Sequence, residues 1–308
     1  MPEFATIPGV VQVERIGGWE AEADTPYDLL VEVPHGADRR SHYDALRARL
    51  VGDYPEDLHA FFHVNTDVGA WQLGREIAGR VVAARPWSRA LVLRSLIPRT
   101  FVDCNRVAGV TSDGSIQEGA MTPAMPPYVR DPADRALLAD LHAQYVGLAE
   151  AAYDAVCGRG GFALNPHTYG PRTLAIDAID DDIVANLRRA HEPAVLEASP
   201  LRPEVDLIAR TEDGTDYAPE GSEAFLREGL ATLGLSLESS ETYFLHPATQ
   251  GYRFTLRHPR QVLGFEVRRD LLVEDWAPFE EQAVSGSKVA RTAGVFVDYV
   301  VRWLQERG

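Results

Sequence analysis

The chain has 308 residues, 45% hydrophobic and 25% charged, enough apolar material for a sizeable core and too much for wholesale disorder. Acidic residues exceed basic ones 46 to 30, and the net charge of −16 argues against a nucleic-acid partner or an anionic membrane surface, since both favour a basic footprint. The cysteines, Cys104 and Cys157, are too far apart for a disulfide scaffold, so a reducing, cytoplasmic setting is expected.

The first residues, MPEFATIPGVVQVERIGGWEAEAD, lack a basic segment followed by an apolar one, and no run approaches membrane-spanning length. YDLLVEVPH reads as a buried strand that stops at Pro34 and ends on His35, with Asp38 three positions later. In DVGAWQLGREIAGRVVAA, Leu73, Ile77 and Val81 are four apart on one helical face. Asp67 opens that helix, where it suits an N-cap or, equally, a metal. RALVLRSLI is the next apolar run, and RTFVDCNR is a shorter strand-like piece. Residues 109–129 are rich in Gly, Pro, Ser, Thr and Met without a clear element, as befits a lid. A long helix is expected over 131–157, bounded by RDP and CGRGG.

GFALNPH and TLAIDAI read as short strands, and 180–190 and 219–233 as helices. ETYFLHP, GYRFTLRH and QVLGFEVRRDLL are strand candidates, and 285–306 forms a final amphipathic helix. This alternation predicts an α/β fold: one three-layer domain over 1–308, with a central mixed sheet and helices on both faces. Ligands in such folds sit beyond the carboxyl ends of strands. Three candidate strands end there in polar residues, namely His35, Asn105 with Arg106, and His167.

His35 and Asp38 can present an imidazole nitrogen and a carboxylate oxygen to one cation, as zinc accepts, although a strand-end histidine beside a turn aspartate has the same pattern. A catalytic zinc needs a third protein ligand, and His167, which like His35 follows a proline, is the best placed. The remaining histidines read as surface or packing residues, with His246 and His258 near strand ends. In VLGFEVRR the period-2 pattern places Glu266 and Arg268 on one face. On a solvent face they are ordinary surface residues; in a cleft Glu266 can serve as a base for hydrolysis and then as an acid for the leaving amine. RTFVDCNR supplies Arg99, Asp103, Asn105 and Arg106, which suit either a carboxylate clamp or an internal ion pair. Nucleophile-elbow, Walker, dinucleotide and HExxH signatures are missing. Lys288 is the only lysine, so any bound anion falls to arginine, histidine, backbone N–H groups or a metal.

Taken in order, VEVPHGADRR, NTDVGAWQLGREIA, RTFVDCNR, NPHTYG and GYRFTLRHPRQVLGFEVRRDLL resemble segments of the N-formylglutamate amidohydrolase (deformylase) family, itself related to zinc-dependent exopeptidases and aspartoacylases. Asp-x-Asn-Arg and the late Glu-Arg segment are the most specific of these. The resemblance implies a zinc-exopeptidase or phosphorylase/hydrolase-like fold and one Zn2+ per chain. His35 and His167 would be ligands, with Asp38 or Asp67 as the third; the sequence does not choose between the two. Glu266 becomes the general base, and Asn105 and Arg106, with Arg268 nearby, the substrate carboxylate clamp.

The implied reaction is hydrolysis of an N-formyl or N-acyl amino acid, foremost N-formylglutamate in histidine degradation. A related amidase, a carboxypeptidase-like enzyme and a non-catalytic metabolite-binding member are the alternatives. The implied partner is a small molecule bearing a carboxylate, and an oligomer is compatible with the sequence. Asn165 departs from the family pattern, which has aspartate two residues before the histidine, and so removes a charge behind a ligand.

Overall fold

The computed structural model describes residues 4–109 and 122–307. Seven strands form one mixed sheet: β1 (Val11–Gly17), β2 (Leu29–Val33), β3 (Arg89–Ser95), β4 (Phe162–Tyr169), β5 (Val205–Ile208), β6 (Leu237–Ser239) and β7 (Val262–Arg268). Their spatial order is β1-β3-β2-β4-β7-β5-β6. The four central strands are parallel, while β1 runs antiparallel to β3 and β5 antiparallel to β7.

Nine α-helices appear among the described residues: α1 (Arg40–Arg47), α2 (Leu58–Asn65), α3 (Ala70–Ala84), α4 (Pro132–Val156), α5 (Ile183–Ala190), α6 (Pro193–Ala198), α7 (Ser222–Thr232), α8 (Gln250–Arg257) and α9 (Gly286–Arg307). None is long and apolar enough to cross a membrane.

The sheet is covered on both faces, which is why its central strands read as nearly unbroken apolar runs. In β2, Leu29, Val31 and Val33 meet the cluster built from α3, α7 and α9, whereas Leu30 faces the cluster of α1, α2, α4 and α5. Each fully buried Leu, Ile or Phe in these layers contributes about 1.5–3 kcal/mol. Phe265 of β7 stacks on Phe296 of α9 with centroids 4.2 Å apart, tying the last helix to the strand that carries Glu266. At the start of α3, Gly69 has φ +90°, and a Cβ there would meet Leu272 Cβ at 2.9 Å; only glycine lets the chain turn this closely out of the Asp67 segment.

The turn that follows β7 is pinned from behind. Lys288 of α9 donates to the carbonyl oxygens of Asp270, Val273 and Glu274 at 3.2, 2.6 and 3.2 Å.

Several expectations are corrected. GYRFTLRH forms helix α8, capped by the Thr249 side chain, because Gln250, Phe254 and Thr255 turn one helical face inward. RTFVDCNR is a succession of turns after β3, closed by Phe101 N–H to Pro98 O and Arg106 N–H to Asp103 O. TLAIDAI and ETYFLHP contain no strand. Of the expected lid loop, residues 110–121 lie outside the described residues.

Candidate metal centre and its cavity

The carboxyl ends of β2 and β4 lie side by side, registered from Leu29 against Phe162 to Val31 against Leu164. His35 stands two residues beyond β2, His167 lies near the end of β4, and Asp67 occupies the turn before α3. One nitrogen of each imidazole and one Asp67 oxygen lie within 4.8 Å of one another, and all three residues are buried. Asp67 Oδ2 is 3.1 Å from His35 Nδ1 and 3.0 Å from His167 Nδ1, and the two nitrogens are 3.2 Å apart.

The opposite ring nitrogens are occupied. His35 Nε2 donates to Asp103 Oδ1 at 2.7 Å, and His167 Nε2 donates to Asn165 Oδ1 at 3.0 Å. With Nε2 carrying the proton on both rings, two Nδ1 lone pairs and a carboxylate oxygen converge on one point. This donor set fits a divalent metal ion, and the partners behind it fix each tautomer.

The surroundings of the two imidazoles differ. Arg99 donates to Asp67 Oδ1 at 3.4 Å and to Asp103 Oδ2 at 2.9 Å, making a charged lattice around His35. Burial and Arg99 push the His35 pKa down, but Asp103 and Asp67 outweigh them and leave it raised. Burial raises the carboxyls of Asp67 and Asp103, yet their cationic neighbours hold both well below the usual range. Burial dominates at His167 and lowers its pKa. Behind His167, Asn165 Nδ2 donates to Glu32 Oε2 at 2.5 Å, and Tyr145 donates its hydroxyl to the other oxygen of Glu32. Burial lifts Glu32 to about 7.

Glu266 is the register partner of His167 across β4 and β7. It is buried, and its Oε2 has no hydrogen-bond partner among the described residues. Burial first, and the Asp67 charge second, push its carboxyl well above the usual value against the pull of Arg202, Arg99 and Arg269. A buried carboxyl with one free oxygen beside a cation-binding cluster is equipped to exchange protons.

The other expected site residues divide. Asn105 and Arg106 line the same cavity as His35, His167 and Glu266. Asn105 Oδ1 accepts from Gly251 N–H at 3.0 Å, and Arg106 Nε is buried without a partner among the described residues. Asp38 is a correction: its carboxylate pairs with Arg94 at 2.5 Å and stands outside the His–Asp–His group. The i+3 spacing is spent on a turn around Arg94, whose Nε also holds Gly36 O. Arg268 is a second correction. Its guanidinium pairs with Asp270 at 2.9 Å and lies outside the cavity lining, where Arg269 appears instead. Arg268 is the last residue of the strand, and the 3-10 turn after it carries Arg269 to the cavity.

The sequence did not single out Glu32, and it left Asp103 between a carboxylate clamp and an internal ion pair. A lone glutamate inside LLVEV was the available signal, since a charge in a doubly covered strand requires a partner.

The cavity measures about 650 Å³. Beside the cluster it is lined by Arg99, Arg106, Arg172, Arg202 and Arg269, so a net-acidic protein presents a locally cationic chamber.

No protein-family model and no curated protein matches the chain. Among solved structures, the N-formylglutamate amidohydrolase of Ralstonia eutropha JMP134 aligns with a TM-score of 0.55 at 15% identity, covering 97% of this chain and 98% of that one. The gene product Atu2144 of Agrobacterium tumefaciens aligns at 0.52 with 16% identity, covering 99% of each chain. The chain has their fold. What it shares with them is a frame.

Proposed function

We propose that this protein is a zinc-dependent amidohydrolase that cleaves the amide bond of an N-acyl amino acid, with N-formylglutamate as the first substrate to try. The observation that carries the reading is the convergence of His35 Nδ1, His167 Nδ1 and Asp67 Oδ2 next to Glu266, whose Oε2 is free. His35, Asp67 and His167 would hold the zinc ion, which would supply Lewis acidity and a nucleophilic water near neutral pH.

The chain's own residues do the rest. Glu266 takes a proton from the attacking water at its carboxylate and returns it to the nitrogen of the leaving amine. Burial and the Asp67 charge raise its pKa, which makes its carboxylate a stronger base than an exposed one. Arg106, with Asn105 beside it, binds a substrate carboxylate; its buried Nε has no partner among the described residues. Asp103 and Asn165 hold the imidazoles in one tautomer throughout.

The test is formate release from N-formylglutamate by purified protein, with metal content measured in parallel. Zinc near one equivalent per chain, release abolished by a chelator and release restored by added zinc are expected. Failure to bind zinc, or formate release indifferent to the chelator, overturns the reading.

A further inference from the structure

The cationic groups account for only part of the cavity. Its volume of about 650 Å³ falls within the range of roughly 300–1,000 Å³ that encloses drug-sized ligands, well beyond the needs of a formylated amino acid. Much of the extra wall is apolar. Phe61 of α2, Ile183 and Leu187 of α5, Ile176 and Ile179 of the segment after β4, and Trp276 after β7 all line it. Ile183 and Leu187 are one helical turn apart and share a face.

This wall adjoins the cluster. Val64, one turn after Phe61 on α2, also lines the cavity, and its carbonyl oxygen accepts from Arg269 Nη1 at 2.7 Å. The Arg269 guanidinium is in turn within electrostatic reach of Asp67 and Glu266. Phe61, Ile183 and Leu187 are themselves packed in the core, whereas Ile176, Ile179 and Trp276 are only half-buried, and a ligand that covers their apolar surface removes it from water. A formyl group and a glutamate side chain supply no such cover.

We infer that the substrate carries, besides its scissile amide and its carboxylate, an apolar group of at least phenyl size, seated against Phe61, Ile176, Ile179, Ile183, Leu187 and Trp276. The inference rests on the amidohydrolase reading and narrows its substrate class from acidic N-formyl amino acids to N-acyl amino acids with a bulky apolar acyl group or side chain.

The test compares N-formylglutamate, N-formylphenylalanine and N-benzoylglutamate on the zinc-loaded protein, by kcat/KM and, independently of turnover, by calorimetric binding. At least one aromatic compound is expected to exceed N-formylglutamate by about tenfold or more in kcat/KM, the least that a filled apolar pocket confers. N-Benzoylglutamate or N-formylphenylalanine is also expected to bind more tightly by a similar factor. Ile179→Asn, or Ile176→Ser should that variant fail to fold, is expected to cut the ratio of the aromatic compounds to N-formylglutamate at least several-fold. Equal or better handling of N-formylglutamate overturns the inference while the amidohydrolase reading stands. The same holds for a variant that weakens all three compounds alike. Tight binding of the aromatic compounds without turnover of any of them overturns the amidohydrolase reading and keeps the apolar subsite. Neither turnover nor a binding preference overturns both.

Discussion

His35 and His167 make an instructive pair. Each follows a proline at the carboxyl end of a buried parallel strand, and each turns Nδ1 toward Asp67. What stands behind them is opposite in kind. His35 Nε2 rests on Asp103, an anion neutralised by Arg99, whereas His167 Nε2 rests on the neutral amide of Asn165, with Glu32 one step further back. One imidazole is pushed up in pKa and the other down. Identical residues in near-identical sequence settings thus become unequal donors, and the inequality comes from the atom that holds the far nitrogen.

The strongest challenge to this pairing is Glu266→Gln. If both imidazoles serve only to hold a cation while Glu266 moves protons, the variant loses about 10²–10⁴-fold in kcat and keeps its metal. Metal analysis beside single-turnover kinetics decides it, and metal lost together with activity breaks the division of labour. Asp103→Asn sharpens the comparison by making the His35 side resemble the His167 side. Metal affinity is expected to fall by about 10–100-fold in competition with a chromophoric chelator. Unchanged affinity means that the charge behind His35 is idle.

The last test concerns folding and turns on Glu32. Its pKa near 7 in the fold, against an ordinary 4.5, means that the native state keeps a proton the unfolded chain has already released between those values. Stability is therefore full below about 4.5 and declines as pH rises to 7, by roughly 3 kcal/mol in the metal-free protein. Urea denaturation across that window should show the slope in the parent and a flatter profile in Glu32→Gln. Parallel profiles would place the titration elsewhere.

The sequence carried the frame where periodicity was strong. Leu73, Ile77 and Val81 marked α3; the RDP start and CGRGG stop marked α4; unbroken apolar runs marked β2 and β3. It failed where two periods coincide: Tyr252 and Phe254 alternate as in a strand, yet Phe254 and Thr255 pack as in a helix. The edge strand β1 was missed because its half-exposed residues, VQVERIG, make no apolar run.

At the site, Pro-His at two strand ends and the isolated Glu266 were visible because strand ends converge in such sheets. The choice between Asp38 and Asp67 was not. It depends on Arg94, 56 positions beyond Asp38, which takes Asp38 for an ion pair. Long-range pairing of this kind leaves no trace in local spacing.

Lys288 has a consequence for handling the molecule. Side-chain amines are usually scattered over a surface, but here there is one, and its ammonium grips three carbonyl groups of the loop that begins at Arg269. An acylating reagent that captures it removes the positive charge and the grip together. The adduct on this one side chain, located by peptide mass, thereby becomes a probe of how firmly that loop is tethered.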